Sequence, residues 1–484
     1  MSYLGIDIGS SQVKAAVFDA AGKLLAEASS PYRYTQPQHG WMELDGNEVM
    51  AGAFKVIAAC AQKVRAIDPV QAIACSSQGE AFSPLDANGN ILAPAMISGD
   101  TRASENIRAF TAKYGVETLY RQTGHTASAM FSIAKLLWLR ENQPGIFNRS
   151  RFFLCFEDLL AYRLTGIPVM GYPLAGRTML FDVINHRWVP ELLEACGITV
   201  EQLAKPLPSG TVSSTLRPDV AIELGVDANV RWVTGGHDQV IGAYGCGARR
   251  PGCAMYAAGS VECMVPILSG PVLSDELAAS NLCTYDFARP GTYASVAYSL
   301  TGSNLVEYFI REIVRDPNLD YAQMFADMPD GPTDLLTIPY FTASGTPYFD
   351  DKTPGCLYGW RFDTSRGTVL KALLEGVAME MKLNAELLKQ NNIVLNQLIA
   401  TGGGFRSREV VQLHADILNM PILLIGVKEA GCRGAASLAA LALDDVEIPI
   451  PEIISEITPV PERVAQYAER FIMWKKFSNH IRSF

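Results

Sequence analysis

Runs of apolar residues broken by small polar turns mark the start of this chain as strand, turn, strand, turn, strand over residues 3–29. Tyr3-Leu4-Gly5-Ile6-Asp7-Ile8 leads into Gly9-Ser10-Ser11, and Val13-Lys14-Ala15-Ala16-Val17-Phe18 follows; Asp19-Ala20-Ala21-Gly22 then turns into Lys23-Leu24-Leu25-Ala26. The same pattern recurs in the second half, where Cys253-Ala254-Met255-Tyr256-Ala257 precedes Gly259-Ser260 and Val261-Glu262-Cys263-Met264-Val265 follows. Two such hairpins, one per half, point to two related domains facing each other. Helical periodicity covers 103–114, 133–142, 156–164 and 366–390, the last entered through Asp363-Thr364-Ser365 as a cap. Lys205-Pro206-Leu207-Pro208-Ser209-Gly210 reads as a linker. Near the end, the strand Gln397–Ala400, the turn Thr401-Gly402-Gly403-Gly404 and a helix over 407–418 form a strand–glycine turn–helix unit, a shape that suits contact with a nucleotide.

Composition narrows the class. At 484 residues, 49% hydrophobic and 19% charged, the chain has the apolar material for two domains of ordinary size and is not a disordered one. A formal charge of −10 argues against a nucleic-acid backbone as partner, though backbone amides and a metal ion can still neutralise a phosphorylated ligand locally. The ten cysteines include no CxxC pair, as expected for buried thiols in a reducing cytoplasm. With a strand beginning at Tyr3 and no apolar run long enough to span a bilayer, a cytoplasmic protein without signal peptide or membrane segment is expected.

The residue with the most chemical content is Asp238. It stands in Gly235-Gly236-His237-Asp238-Gln239, directly after the buried-strand pattern Val230-Arg231-Trp232-Val233. In α/β folds ligands gather at the carboxyl ends of strands, where glycine lets them approach the backbone. An Asp there can take the proton of a substrate hydroxyl, and equally can be a turn former. Asp7, two residues before Gly9-Ser10-Ser11, divides in the same way. It suits Mg2+ held through water beside a phosphate-binding turn, or it belongs to an ordinary hairpin.

The order of these segments resembles the FGGY family of carbohydrate kinases, within the superfamily of actin-like ATPases and sugar kinases. The resemblance rests on Gly5-Ile6-Asp7-Ile8-Gly9-Ser10-Ser11 with Lys14, and on Gly40-Trp41-Met42-Glu43-Leu44-Asp45, similar to a GWxExD segment. It continues through Gly236-His237-Asp238-Gln239 and Ala258-Gly259-Ser260. Late in the chain, 401–416 is similar to GGGxxSxxxxQxxAD, and 429–436 to EAxxxGAA. The resemblance implies an α/β protein of two actin-like (ribonuclease H-like) domains with a cleft between them, 1–245 binding sugar and carrying the base, 246–484 binding nucleotide. It implies an ATP-dependent phosphotransferase with an alcohol acceptor, in which Asp238 is the base and Asp7 orients Mg2+ through its waters. Gly9, Ser10, Ser11, Lys14, Gly259, Ser260 and Gly302 would face the phosphates, and Gly403, Gly404 and Ser407 would border the adenosine. A homodimer is a further expectation.

The acceptor is less sharply drawn. Gln78-Gly79-Glu80 falls where xylulokinases resemble QMH and glycerol kinases QRE, and Asp238-Gln239 is similar to the DQ of glycerol kinases. Ser98-Gly99-Asp100-Thr101-Arg102 stands in place of a WxDxR segment; loss of the tryptophan at Ser98 widens the pocket and favours a pentulose or longer polyol. Thr342–Pro347 is shortened relative to SGERxP. Gln78, Gly79, Glu80, Asp100, Asp238 and Gln239 are the expected sugar contacts, with Asp100 and Gln239 ahead of Glu80. Trp41 is expected to pin its loop, and His237 to be structural. Xylulokinase-like activity leads; a ribulose, an erythrulose, a deoxy-ketose or glycerol-like polyol are alternatives. So is a nucleotide-dependent regulatory protein on the same fold, which would need neither Asp238 nor the GWxExD segment.

Overall fold

A computed structural model describes residues 1–316, 321–350 and 352–483. Two mixed sheets organise it. The first runs Val212–Thr215, Arg231–His237, Val70–Ser77, Ser2–Ile8, Gln12–Asp19, Leu24–Pro31. Ser2–Ile8, Gln12–Asp19 and Leu24–Pro31 form an antiparallel meander, Val70–Ser77 and Arg231–His237 add in parallel, and Val212–Thr215 closes the edge antiparallel. The second sheet repeats that plan. Cys253–Ala258, Glu262–Leu268 and Ala297–Ser299 make the meander, Gln397–Thr401 and Ile422–Ile425 add in parallel, and Ile453–Ile457 closes antiparallel. The short hairpin repeat legible in the sequence is thus the visible end of a duplicated actin-like, ribonuclease H-like architecture.

The elements form where patterning places them. Helices run Ser104–Tyr114, Ser132–Asn142, Phe156–Thr165 and Arg366–Gln390. The last is capped by the Ser365 side chain, which accepts from the Thr368 amide at 3.1 Å. Lys205–Gly210 differs from expectation. Lys205–Leu207 is a short strand parallel to Val169–Gly171, so this stretch is built into the first half and is not a linker. A two-stranded pairing leaves both strands as edges, where Pro206 is tolerated.

Two helices join the halves. Asp238–Gly245 leaves the first sheet and packs against Ala430–Asp444, which returns from the second half to lie on Ser2–Ile8 and Val70–Ser77. The contact is backbone on backbone. A Cβ built on Gly5 would collide with the Cys432 carbonyl, and one on Gly434 with the Ile241 carbonyl. Only glycine permits this approach, and it brings the start of Ala430–Asp444 directly over Asp7.

Candidate active site

Asp238 is the first residue of its helix, at the carboxyl end of the strand Arg231–His237. It borders a cavity of about 490 Å³ whose walls come from both halves. Gln78, Gly79, Glu80, Ser98, Arg177, His237 and Gln239 line it from the first, and Cys263, Cys283, Val296 and Tyr298 from the second. Ser10, of the first hairpin turn, reaches its edge. The helix N-terminus favours a carboxylate at Asp238, but burial and the nearby carboxylates of Asp7 and Glu80 outweigh it and raise its pKa to about 7. Its side chain retains 29% exposure toward the cleft.

Glu80 is the polar centre of the opposite wall. Its backbone is left-handed at φ 65°, and its side chain is buried in an ion pair with Arg177. Ser98 Oγ donates to the other carboxylate oxygen at 2.7 Å, and Ser132 Oγ and Lys135 Nζ donate to the Glu80 carbonyl at 2.8 and 3.2 Å. Arg177 is also stacked over Phe131, its guanidinium 4.8 Å from the ring centre. Burial lowers the pKa of the Lys135 ammonium to about 8. Gln239 lines the cavity with its Oε1 buried and without a partner among the described residues, a free acceptor for a hydroxyl.

Asp100, expected to contact sugar, is placed elsewhere. It does not line the cavity: its carboxylate accepts from the Met42 amide at 2.7 Å and holds Arg102 by two nitrogens. Arg102 in turn pairs with Glu43 at 2.8 Å and lies 3.6 Å from the ring centre of Trp41. The Glu43, Asp100 and Arg102 side chains and Trp41 therefore tie two loops together, and Trp41 pins its loop. Gln78 lines the cavity, yet its Nε2 donates to the Gly9 carbonyl at 2.9 Å and so steadies the first hairpin turn.

His237, read from sequence as structural, borders the cavity, with Nε2 3.4 Å from Asp238 Oδ1 and Nδ1 2.9 Å from the Tyr285 hydroxyl. A Cβ at Gly79 beside it would lie 3.0 Å from His237 Cδ2, so a side chain there would require the imidazole to shift slightly.

The remaining candidates assemble around the two hairpin turns. Asp7 Oδ1 accepts from Ser76 Oγ at 2.7 Å, and burial raises its pKa; a Cβ on Gly431 would stand 2.6 Å from its Cγ. Lys14 is held by Glu429 at 2.8 Å, next to the same helix start. In the second turn the Gly259 carbonyl accepts from the Ser303 amide at 2.9 Å, which ties Gly259-Ser260 to Gly302. Gly302, Gly403, Gly404 and Ser407 border a separate cavity of about 340 Å³, together with Glu262 and Arg406. Ser407 caps the helix Arg408–Leu418 and donates to Glu409 at 2.6 Å, so its hydroxyl is already committed.

Arg177, Lys135 and Glu262 escaped the sequence reading. Arg177 carried a signal: it is the lone charge in the apolar stretch 172–181. Lys135 carried a weaker one, on a helix whose buried face it shares with Leu136 and Leu139.

No helix among the described residues is long and apolar enough to cross a membrane. Profiles for the N-terminal and C-terminal domains of the FGGY family of carbohydrate kinases match residues 2–245 and 254–443. A xylulose kinase of Bacillus subtilis is 25% identical over 495 residues, which cover 99% of this chain and 97% of that protein. A glycerol kinase of Thermococcus onnurineus is 28% identical over 454 residues, 91% and 89% of the two chains. The solved structure of a xyloylose kinase from Brucella ovis superposes with a TM-score of 0.94 at 26% identity, covering 100% of both chains. With both domain profiles matched in order and the fold shared end to end, the chain belongs to the FGGY family of carbohydrate kinases, phosphotransferases that use an alcohol as acceptor.

Proposed function

We propose that this protein transfers the γ-phosphoryl group of ATP to a hydroxyl of a ketose, with a pentulose such as xylulose as the acceptor its pocket fits best. One observation carries the reading. Asp238, its pKa raised to about 7, borders a cavity of about 490 Å³ lined by the polar side chains of Glu80, Arg177 and Gln239. A base works best when its pKa lies near the operating pH, because it is then both unprotonated and proton-seeking. As the acceptor oxygen bonds to the γ-phosphorus and the bond to the β-phosphate oxygen breaks, the hydroxyl proton passes to Asp238 and ADP leaves.

Phosphoryl transfer otherwise asks for positioning and charge neutralisation. The turns Gly9-Ser10-Ser11 and Gly259-Ser260 offer amides and hydroxyls to the phosphates, and the cavity beside Gly302, Gly403 and Gly404 takes the adenosine. In this reading residues 1–245 bind the sugar and 246–484 the nucleotide, and closure of the halves excludes water. Asp7 fits Mg2+ as an outer partner. It is a single carboxylate, anchored at one oxygen by Ser76, and no cluster of three or more metal-ligating side chains exists among the described residues. Such a site suits an ion that keeps most of its waters and is bound chiefly by phosphates. When bound, Mg2+ supplies positive charge to the transferring phosphates.

Ser98 supports a longer acceptor than glycerol, since its small side chain lines the cavity and is spent on Glu80. A panel of ketoses and polyols scored by ATP-dependent ADP release tests the proposal. A pentulose is expected to give the highest kcat/KM; release of ADP with none of them would overturn it. A cytoplasmic location, where ATP is at hand and the ten free cysteines stay reduced, fits the same reading. A homodimer is proposed only as a common state of closed symmetric enzymes, to be read by light scattering.

A further inference from the structure

His237 does more than fill space. We infer that Tyr285 and His237 form a relay that positions the carboxylate of Asp238, with Tyr285 O–H hydrogen-bonded to Nδ1 and Nε2–H set against Oδ1; the inference rests on Asp238 being the base. The geometry sets the direction of each bond. Tyr285 Oη lies 2.9 Å from Nδ1, and Asp238 Oδ1 lies 3.4 Å from Nε2. A neutral imidazole carries one N–H. Placing it on Nδ1 would leave a bare lone pair on Nε2 against an anionic oxygen. Placing it on Nε2 turns that 3.4 Å contact into an attraction between an N–H dipole and the carboxylate, and the phenol supplies the proton that Nδ1 then needs.

Neutrality follows from the surroundings. Burial first, then the Arg177 guanidinium and His125, hold the pKa of His237 well below the usual value. Burial raises the Tyr285 hydroxyl well above its own, so it stays a donor. Asp238 is faced by Asp7, Glu80 and Arg177, and from the other half by Tyr285 and Cys263. The Gln239 backbone N–H also hydrogen-bonds the carboxylate, and His237 is the side chain paired with it at 3.4 Å.

Two further observations make the relay a built feature. Position 79, which bears a side chain in both motifs its segment resembles, is glycine, and a Cβ there would meet His237 Cδ2 at 3.0 Å and Nε2 at 3.1 Å. A side chain at 79 would press on the imidazole and displace it. Tyr285 belongs to the second half of the chain and His237 to the first sheet, so the Tyr285–His237 bond joins residues of both halves beside the base.

Histidine-selective 15N NMR on the full-length protein reads the tautomer directly. Only six histidines are present, and His237 is assigned by its loss in His237→Leu. Nε2–H with an unprotonated Nδ1 is expected at pH 8–9, where Asp238 is ionised, and Tyr285→Phe should shift the Nδ1 resonance. An Nδ1–H tautomer, or no response to Tyr285→Phe, would overturn the relay. The pH profile of kcat/KM supplies a second readout. His237→Leu keeps bulk without a donor and should move the acid limb up by about one pH unit, a tenfold change in proton affinity. His237→Gln, which keeps an N–H, should move it less; equal shifts in the two variants would count against the relay. The tautomer needs no turnover. Failure of every sugar in the kinase assay would therefore sink the kinase reading while leaving the NMR result to stand or fall on its own.

Discussion

At the scale of single residues, Asp238 dominates. Its pKa is raised, so the unprotonated form needed to accept a proton is lost as pH falls through about 7. The expected kcat/KM profile falls tenfold per pH unit below that point and levels above it; a limb near pH 4 would show that burial and the neighbouring carboxylates do not act as argued. Asp238→Asn removes the proton acceptor but not the nucleotide cavity. Turnover should drop by about 10²–10⁴ while ADP binding, measured by calorimetry, persists. Glu80 and Arg177 respond differently, because both are buried and paired. Glu80→Gln strands a buried guanidinium, and a loss of about 3–5 kcal/mol in urea unfolding is expected alongside weaker acceptor binding. Ser98→Trp should shift the ranking of acceptors toward smaller polyols; an unmoved ranking would mean that the wall at Ser98 does not limit length.

At the scale of elements, the helix Ala430–Asp444 is the piece on which the site depends. It begins beside Asp7 and the Lys14–Glu429 pair, and its glycines and alanines let it lie flat on the first sheet. Gly434→Ala places a methyl group into the Ile241 carbonyl. Overpacking of this kind costs about 1–3 kcal/mol, so a Tm lowered by several degrees is expected, with the catalytic side chains all still present. In the sequence 429–436 was legible only as a similarity to EAxxxGAA, and not as a helix. What it packs against was not legible either, since nothing local to a helix records which sheet receives it. The segment 205–210 errs the other way: two prolines in six residues look like a linker, and only its pairing with Val169–Gly171 shows it to be a strand.

At the scale of the molecule, the cleft is shared property. The cavity beside Asp238 takes walls from both halves; with nucleotide on the second half, as proposed, its binding should tighten the first around the acceptor. Saturating ATP analogue at about 100 times its Kd is expected to add about 2.7 kcal/mol to stability. The analogue and a true acceptor together should protect the Tyr285–His237 contact region from hydrogen exchange more than either alone.

The sequence by itself was enough for the duplicated hairpins, the order of Asp7, Asp238, Gly259 and Gly403, and hence the family, because these depend on local turn chemistry and spacing. Tertiary structure alone decided which side chains share a wall. Asp100 carried the expected motif and is consumed by Arg102, whereas Glu80 and Arg177 meet across 97 residues to build the polar wall. His237 shows the same limit most directly. Its chemistry comes from Tyr285, 48 positions away on another sheet, and from the side chain that Gly79 lacks. Spacing along a chain can place a carboxylate at the end of a strand; what then tunes it is set by neighbours that folding alone brings within hydrogen-bond reach.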